Sequence, residues 1–242
     1  MLHQLSATLT KNSPKIVVAR DGGPIRRIIN GRQIKPTDLY PSFKGGMALP
    51  AEAEHEVGLL EISDVDKAVV SCLTQPHRVE IPVPWQSKPL IYFPDMHRGL
   101  ADSTVEIFET FSDDYPRLKD PHYAFKLDVV SELYSRIGWK FRRVKASDIF
   151  AQPLYGNAHL IIPWAYARLS PGKIFSLETA IKQAGGALPL SSAAEIVGSK
   201  QLVYTLIVQR HVYCDLNKTI DEDTPIMMVD HGALRRCSTP IL

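Results

Sequence analysis

The sequence of 242 residues predicts an α/β core with a mixed sheet, followed by a mainly helical domain. Three observations lead to this fold class. Residues 50–150 give the order helix, strand, hairpin, helix, strand, which is typical of a mixed sheet covered by helices. After residue 150, short helical segments dominate and two short strand candidates follow. The content of 45% hydrophobic and 22% charged residues is that of a globular protein.

Residues 1–45 are predicted to form a basic, extended amino-terminal arm. The segment is rich in Pro, Gly and basic side chains and shows little hydrophobic periodicity. Arg26 and Arg27 belong to it, and they are candidate contacts to a DNA backbone. A tail that serves only solubility is the alternative interpretation of the same charges.

Residues 46–152 contain the predicted α/β domain. A first helix begins near Pro50, and a strand-like alternating stretch ends near Val83. The segments KPLIYFPDM and STVEIFETF then indicate two strands that are joined by the loop HRGLAD. A second helix is indicated by apolar residues at four-residue steps, and a further strand, KFRRVKASDI, follows it: Phe125, Val129, Leu133, Ile137.

Residues 153–242 give three helices and then a hairpin, which is the order of a winged-helix domain. The second helix of its helix-turn-helix places Lys200, Gln201 and Tyr204 where a recognition helix contacts DNA. The wing segment NKTIDEDT carries three acids that phosphates repel. A winged helix that faces DNA and one that faces a protein therefore remain alternatives.

Paired acids indicate chemistry in the hairpin of the α/β domain. Asp95 ends one predicted strand and Glu106 lies on the next, so their carboxylates are expected to share a divalent cation. Glu56 or Glu54 on the preceding helix is the candidate for a third acid. Mg²⁺ at such a site, or Mn²⁺ in its place, polarises a scissile phosphate and lowers the pKa of an attacking water. This arrangement is typical of a metal-dependent nuclease core.

Such a core normally has a lysine two residues after the glutamate, and this chain departs from that pattern. The position is Phe108, and counting from Glu109 instead gives Phe111. A lysine from the following helix can supply the missing ammonium, and Lys126 is favoured over Lys119 because it lies inside the predicted helix. Phe108 itself is expected to point into the hydrophobic core or to a partner. If no cation reaches the site, the prediction is a subunit that binds DNA without cleaving it.

The segment RIGWKFRRVK is a second candidate DNA contact, with a solvated, charge-protected edge strand as the alternative. It concentrates five cations in ten residues: Arg136, Lys140, Arg142, Arg143 and Lys145.

A series of short motifs occurs in order along residues 50–150: Glu56, Leu60-Glu61, Asp66, Val69, Gln75-Pro76, a Tyr-x-Pro-Asp motif at Tyr92 to Asp95, and Val105-Glu106. In these motifs, residues 50–150 resemble the TnsA-like endonucleases of Tn7-type transposons. The resemblance implies a restriction-endonuclease-like fold and Mg²⁺-dependent cleavage of double-stranded DNA at transposon ends. It also implies Glu56, Asp95 and Glu106 as metal ligands. A DDE transposase and an AAA+ ATPase regulator are the implied partners.

The leading functional hypothesis is thus the endonuclease subunit of a Tn7-like transposition system. A catalytically inactive TnsA-like assembly subunit, without a metal, is the alternative, and a winged-helix transcription regulator is a weaker one. No run approaches the roughly 18 apolar residues that a membrane-spanning helix needs. The amino terminus also lacks the apolar stretch of a signal peptide. We therefore expect a cytoplasmic protein without a membrane partner.

Overall fold

The computed structural model describes residues 13–26 and 37–242, which form a mixed α/β protein. The strands are β1 Lys15–Val18, β2 Asp38–Ser42, β3 Met47–Ala51, β4 Val69–Thr74, β5 His77–Ile81, β6 Leu90–Tyr92, β7 Met96–Leu100, β8 Val105–Phe111, β9 Lys140–Lys145, β10 Ala187–Pro189, β11 Val212–Tyr213 and β12 Pro225–Met228. The helices are α1 Glu54–Val65, α2 Pro121–Arg136, α3 Ala146–Ile149, α4 Leu154–Ile161, α5 Pro171–Gln183, α6 Leu190–Val197, α7 Lys200–Val208 and α8 His231–Arg236. Within these two described ranges, no helix is both long and apolar enough to cross a bilayer.

A four-stranded sheet, in the order β4-β7-β8-β9, forms the centre of the α/β part. β7 runs antiparallel to both β4 and β8, whereas β9 runs parallel to β8. Because side chains alternate along a strand, β8 contributes to two hydrophobic clusters. Phe108 packs in the cluster that contains Leu59 of α1, and Ile107 packs in the cluster that contains Leu127 of α2. Phe108 has no exposed surface, so its predicted burial in the core is confirmed.

The central hairpin has a shorter turn than the sequence suggested. The predicted loop HRGLAD is mostly strand, because β7 continues to Leu100 and the turn occupies residues 101–104. Gly99 fits this strand because the neighbouring β4 approaches closely: a Cβ atom at Gly99 would lie 2.6 Å from Ser71 Oγ. The shorter turn changes the register, so that Arg98 pairs with Glu106 and Met96 with Phe108. Asp95 therefore bonds to Phe108 and Thr110 of β8, both beyond the predicted partner Glu106.

The described parts of the amino-terminal arm are paired strands rather than loosely packed chain. β1 pairs with β5, and β2 pairs with β3. Asp64 near the end of α1 anchors the turn after β2, since its carboxylate accepts hydrogen bonds from Tyr40 Oη, Ser42 Oγ, Phe43 N and Lys44 N. Arg27 lies outside the described residues.

Residues 171–228 follow the order predicted for a winged helix. Helix α5 precedes β10, helices α6 and α7 follow, and β11 and β12 complete an antiparallel sheet in the order β10-β12-β11. Helix α7 is enclosed, because residues 203–208 are all buried. One hydrophobic cluster contains Val203 of α7 together with Leu59 of α1. The core is therefore continuous across the boundary predicted at residues 152 and 153.

Candidate functional site

Asp95 and Glu109 lie side by side at the end of β8. Asp95 directly precedes β7, and its N–H donates to Phe108 O at 3.0 Å. Because Phe108 also pairs with Met96, two residues of this strand lie opposite one residue of β8, as in a β-bulge. Its Oδ2 accepts hydrogen bonds from Thr110 N at 2.6 Å and from Thr110 Oγ1 at 3.0 Å. Two donors on β8 thus hold the carboxylate of Asp95 beside Glu109.

Glu109 is buried and is held by two phenols. Tyr92 Oη donates to Oε2 at 2.6 Å, and Tyr123 Oη of α2 donates to Oε1. Burial raises the pKa of Glu109, whereas these hydrogen bonds and the charges of Lys126 and Arg143 act in the opposite direction. The carboxylate has no ion pair within hydrogen-bond distance among the described residues, so the phenols orient it without neutralising it.

The pKa of Asp95 is raised well above its ordinary range. Desolvation is the largest cause, and the charges of Glu109 and Glu56 add to it. Glu56 is buried on α1, where its Oε2 accepts a hydrogen bond from Glu52 N at 2.9 Å. Glu56 thus lies close enough to Asp95 for its charge to raise the pKa of Asp95, and a cation shared by the two acids stays a prediction. Glu54, the other candidate for the third acid, is exposed at the start of α1.

The prediction that Glu106 is a ligand beside Asp95 is wrong. Glu106 is fully buried, and both of its oxygens are occupied at 2.7 Å, by Arg98 Nε and by Arg142 Nε. Three residues of strand separate Glu106 from Glu109, or about 10 Å at the usual rise. Glu106 therefore belongs to a buried ion-pair cluster, and Glu109 takes the place that was assigned to it.

Two cations act on Glu109 from different elements. Half-buried Lys126 lies on α2 with its Nζ 5.8 Å from the ring centroid of Tyr123, which itself binds Glu109. Arg143 is level with Glu109 in the parallel β8–β9 pair, and its guanidinium contacts Asp128 Oδ1 at 2.9 Å. Lys119, the other candidate for the relocated lysine, is exposed in a short 3₁₀ helix. The geometry therefore favours Lys126 over Lys119.

The strand position two residues after Glu109 carries an aromatic ring instead of a lysine. Phe111 is buried and stacks on Tyr115 with ring centroids 6.5 Å apart. The ring leaves no room at this position for an ammonium group from β8. A cation at the site must therefore come from α2 or from β9.

The donor set suits a hard cation that is held by two carboxylates. Among residues 13–26 and 37–242, no three His, Cys, Asp or Glu side chains are arranged to hold one metal ion together. The predicted triad of Glu56, Asp95 and Glu106 is therefore not formed. Mg²⁺ commonly uses only one or two carboxylates and retains several waters, so Asp95 and Glu109 are sufficient for it. Desolvation is the main reason for the raised pKa of Asp95, and a bound cation would offset the smaller contribution from the charges of Glu109 and Glu56.

Arg26 in the arm is linked to Glu56 through Glu52. Its guanidinium pairs with Glu52 at 3.0 Å, and the backbone N–H of Glu52 donates to Glu56. The same guanidinium lies 5.8 Å from the ring centroid of Phe93, two residues before Asp95. Arg26 thus borders the candidate site at the described end of the arm.

Of the other predicted DNA contacts in RIGWKFRRVK, Lys140 and Lys145 are exposed at the two ends of β9. Three arginines of this segment are engaged by acids: Arg136 by Glu132, Arg142 by Glu106 and Arg143 by Asp128. Only the Arg142 pair involves a fully buried acid, so Arg136 and Arg143 can exchange their partners at little cost.

The recognition-helix prediction is wrong for Tyr204. Helix α7 packs against the remainder of the protein, and Tyr204 is only 7% exposed. Lys200 at the start of the helix is exposed but bound to Glu222 of the wing, and Gln201 beside it is exposed. The accessible part of α7 is therefore its first turn, at Lys200 and Gln201.

Sequence reasoning missed Glu109 as the second acid, although it noted that residue as an alternative frame for the lysine motif. The signal that could have identified it is the shorter turn, which sets the register of the hairpin. No protein-family model matches the chain, and no curated protein matches it either.

Proposed function

We propose that this chain is the endonuclease subunit of a Tn7-like transposition system, which binds double-stranded DNA and cleaves phosphodiester bonds at transposon ends with Mg²⁺ or Mn²⁺. The proposal rests on the proximity of Asp95 and Glu109. The charge of Glu56 raises the pKa of Asp95. The charges of Lys126 and Arg143 lower the pKa of Glu109. A buried acid whose pKa is raised by desolvation and by neighbouring acids, next to a separate set of cations, is typical of functional sites. Ordinary stabilising ion pairs lower the pKa of their acids.

The finer proposal for residues 46–152 is a restriction-endonuclease-like fold. Support comes from the mixed four-stranded sheet, from the helices α1 and α2 that pack with it, and from the position of the acids at the end of β8. For residues 153–242 the proposal is a winged-helix domain that faces protein, because α7 is enclosed. A DDE transposase and an AAA+ ATPase regulator are the proposed partners, on the resemblance of residues 50–150 to TnsA-like endonucleases.

Each side chain of the candidate site has a separate role in the proposed hydrolysis. Asp95 and Glu109 would hold the cation, which polarises the scissile phosphate and lowers the pKa of a bound water. Tyr92 and Tyr123 orient the carboxylate of Glu109. Lys126 and Arg143 supply positive charge where the phosphate accumulates negative charge in the transition state. Lys126 takes the role of the ammonium that Phe111 excludes from β8.

The substitution Lys126→Gln is expected to lower the rate of metal-dependent cleavage by about 10²–10³-fold, because it removes charge stabilisation from the transition state. The measurement is single-turnover cleavage of transposon-end DNA with Mn²⁺, in the presence of the transposase. Lys119→Gln is the matched control, since Lys119 is an exposed lysine of the segment just before α2. Equal rates for the two variants would contradict the assignment of Lys126.

DNA binding is expected to weaken by on the order of 10²–10³-fold between about 50 and 200 mM salt, because about five cations release counterions. The double variant Lys140→Gln/Lys145→Gln should make the plot of log affinity against log salt less steep by about 2. Lys218→Gln, an exposed lysine next to the wing acids, should leave the slope unchanged. A slope near zero for the unmodified chain would show that the basic residues serve solubility alone.

A catalytically inactive subunit of the same class is the second candidate. Two observations favour it: Phe111 occupies the usual lysine position, and phenols bind both oxygens of Glu109. This candidate predicts salt-dependent DNA binding and no cleavage in Mg²⁺ or Mn²⁺, with the transposase present. Cleavage that disappears in Asp95→Asn would exclude it.

A further inference from the structure

Gln75 combines two features that a structural residue seldom has. Its φ of 46° lies in the left-handed region that non-glycine residues avoid, and Pro76 follows it directly. It is also only 1% exposed, yet its Oε1 accepts no hydrogen bond from any described part of the chain. Strained backbone and an unsatisfied buried oxygen both cost stability, and they persist where they serve a function.

Gln75 is the neighbour of Asp95 on the side away from Glu109. The β4–β7 pair ends at Thr74 opposite Met96, and the ladder continues for one more step, since Gln75 N donates to Asp95 O at 2.8 Å. Its own carbonyl accepts from Ile25 N at 2.8 Å, which ties it to the arm beside Arg26. Gln75, directly after β4, and Glu109 on β8 therefore lie on the two sides of Asp95.

We propose that the side-chain amide of Gln75 is a positioning group of the candidate site, and that its oxygen accepts a hydrogen bond from a water ligand of the divalent cation held by Asp95 and Glu109. This inference rests on the proposed function. Mg²⁺ keeps several of its waters in protein sites, and such waters need acceptors in the protein. Groups that orient metal ligands in this way typically change metal affinity by about 10–100-fold. The backbone bond from Gln75 N to Asp95 O keeps Gln75 next to Asp95 without the cation.

The test compares Gln75→Leu, Gln75→Gly and Thr74→Val with the unmodified chain. Thr74→Val is the matched control, because Thr74 Oγ1 is also buried without a partner in the described structure, but Thr74 pairs with Met96. Mn²⁺ is titrated and two quantities are recorded: the rise in melting temperature without DNA, and the rate of DNA cleavage. Gln75→Gly should also melt about 2–4 °C higher without metal, because glycine adopts the left-handed conformation freely.

Both Gln75 variants are expected to require about tenfold more Mn²⁺ for the half-maximal rise in melting temperature and for the half-maximal cleavage rate. Thr74→Val should require the same Mn²⁺ concentration as the unmodified chain. If Gln75→Gly needs no more Mn²⁺ than the unmodified chain, while Asp95→Asn no longer responds to Mn²⁺, the role of Gln75 is overturned and the proposed function is not. A response that is absent throughout, or equal in Asp95→Asn, would overturn the proposed function and this inference with it. Gln75→Gly keeps the test decisive if Gln75→Leu does not fold.

Discussion

Replacing Glu106 with alanine is expected to lower the free energy of unfolding by about 3–5 kcal/mol. The guanidinium of Arg98 has no exposed surface, and Glu106 is the acid that pairs with it, at 2.7 Å. Without that carboxylate the buried guanidinium loses the acid with which it pairs, and it keeps its contacts to the backbone oxygen of Leu242 and to the ring face of Phe108. Arg142 loses the same partner. Chemical denaturation of both proteins at neutral pH measures the difference.

Glu132→Ala is the matched control for this prediction. Glu132 is also a glutamate paired with an arginine, but its partner Arg136 and its own side chain are both more than half exposed. Exposed pairs of this kind contribute about 0.3–0.5 kcal/mol, so the control should unfold almost as the unmodified chain does. Similar losses in the two variants would contradict the structural role of Glu106.

Asp95→Asn is expected to abolish cleavage while it stabilises the fold. Loss of the carboxylate should lower the cleavage rate by at least about 10²-fold, because the cation loses a ligand. At neutral pH the same change should raise the free energy of unfolding by about 1–2 kcal/mol, the usual gain when a strained functional group is removed. The asparagine oxygen still accepts hydrogen bonds from Thr110, so the local structure is preserved.

The gain in stability should depend on pH in a defined direction. The folded protein raises the pKa of Asp95, so the protonated form stabilises the fold below the ordinary value of about 4. That contribution is lost as the pH rises toward the folded pKa, since the unfolded chain releases its proton first. The difference between Asp95→Asn and the unmodified chain should therefore be small near pH 4 and largest at neutral pH. Unfolding free energies measured across this range would contradict the account if the variant were the less stable protein at pH 7.

The sequence predicted the mixed α/β class and both helices of the core, because these depend on local periodicity. It did not predict the register of the hairpin, which depends on where the turn falls. The segment HRGLAD predicts a loop because Gly99 and Asp102 are residues that can turn the chain. The place of residues 97–100 in β7 results from tertiary contacts, namely the pair of Arg98 with Glu106 and the approach of Ser71 to Gly99. Because of this difference in register, Glu109 rather than Glu106 is the acid next to Asp95.

The sequence of α7 itself indicates a buried helix, although it was interpreted as a recognition helix. Residues 202–208 read LVYTLIV, which is apolar on all sides of a helix, and such helices are usually buried. A recognition helix instead needs a polar face for base edges. The order of elements was therefore predictable from capping and periodicity, whereas the surface that α7 contacts depended on packing against α1 and α4.

The most direct test of the central claim is the position of Mn²⁺ in crystals soaked with that ion. If Asp95 and Glu109 hold the cation, we expect an anomalous peak about 2.0–2.6 Å from carboxylate oxygens of both residues, accompanied by water ligands. Glu106 should remain paired with Arg98 and Arg142 in the same crystals. A peak that contacts Glu106, or full Mn²⁺ occupancy elsewhere with none between Asp95 and Glu109, would contradict that claim.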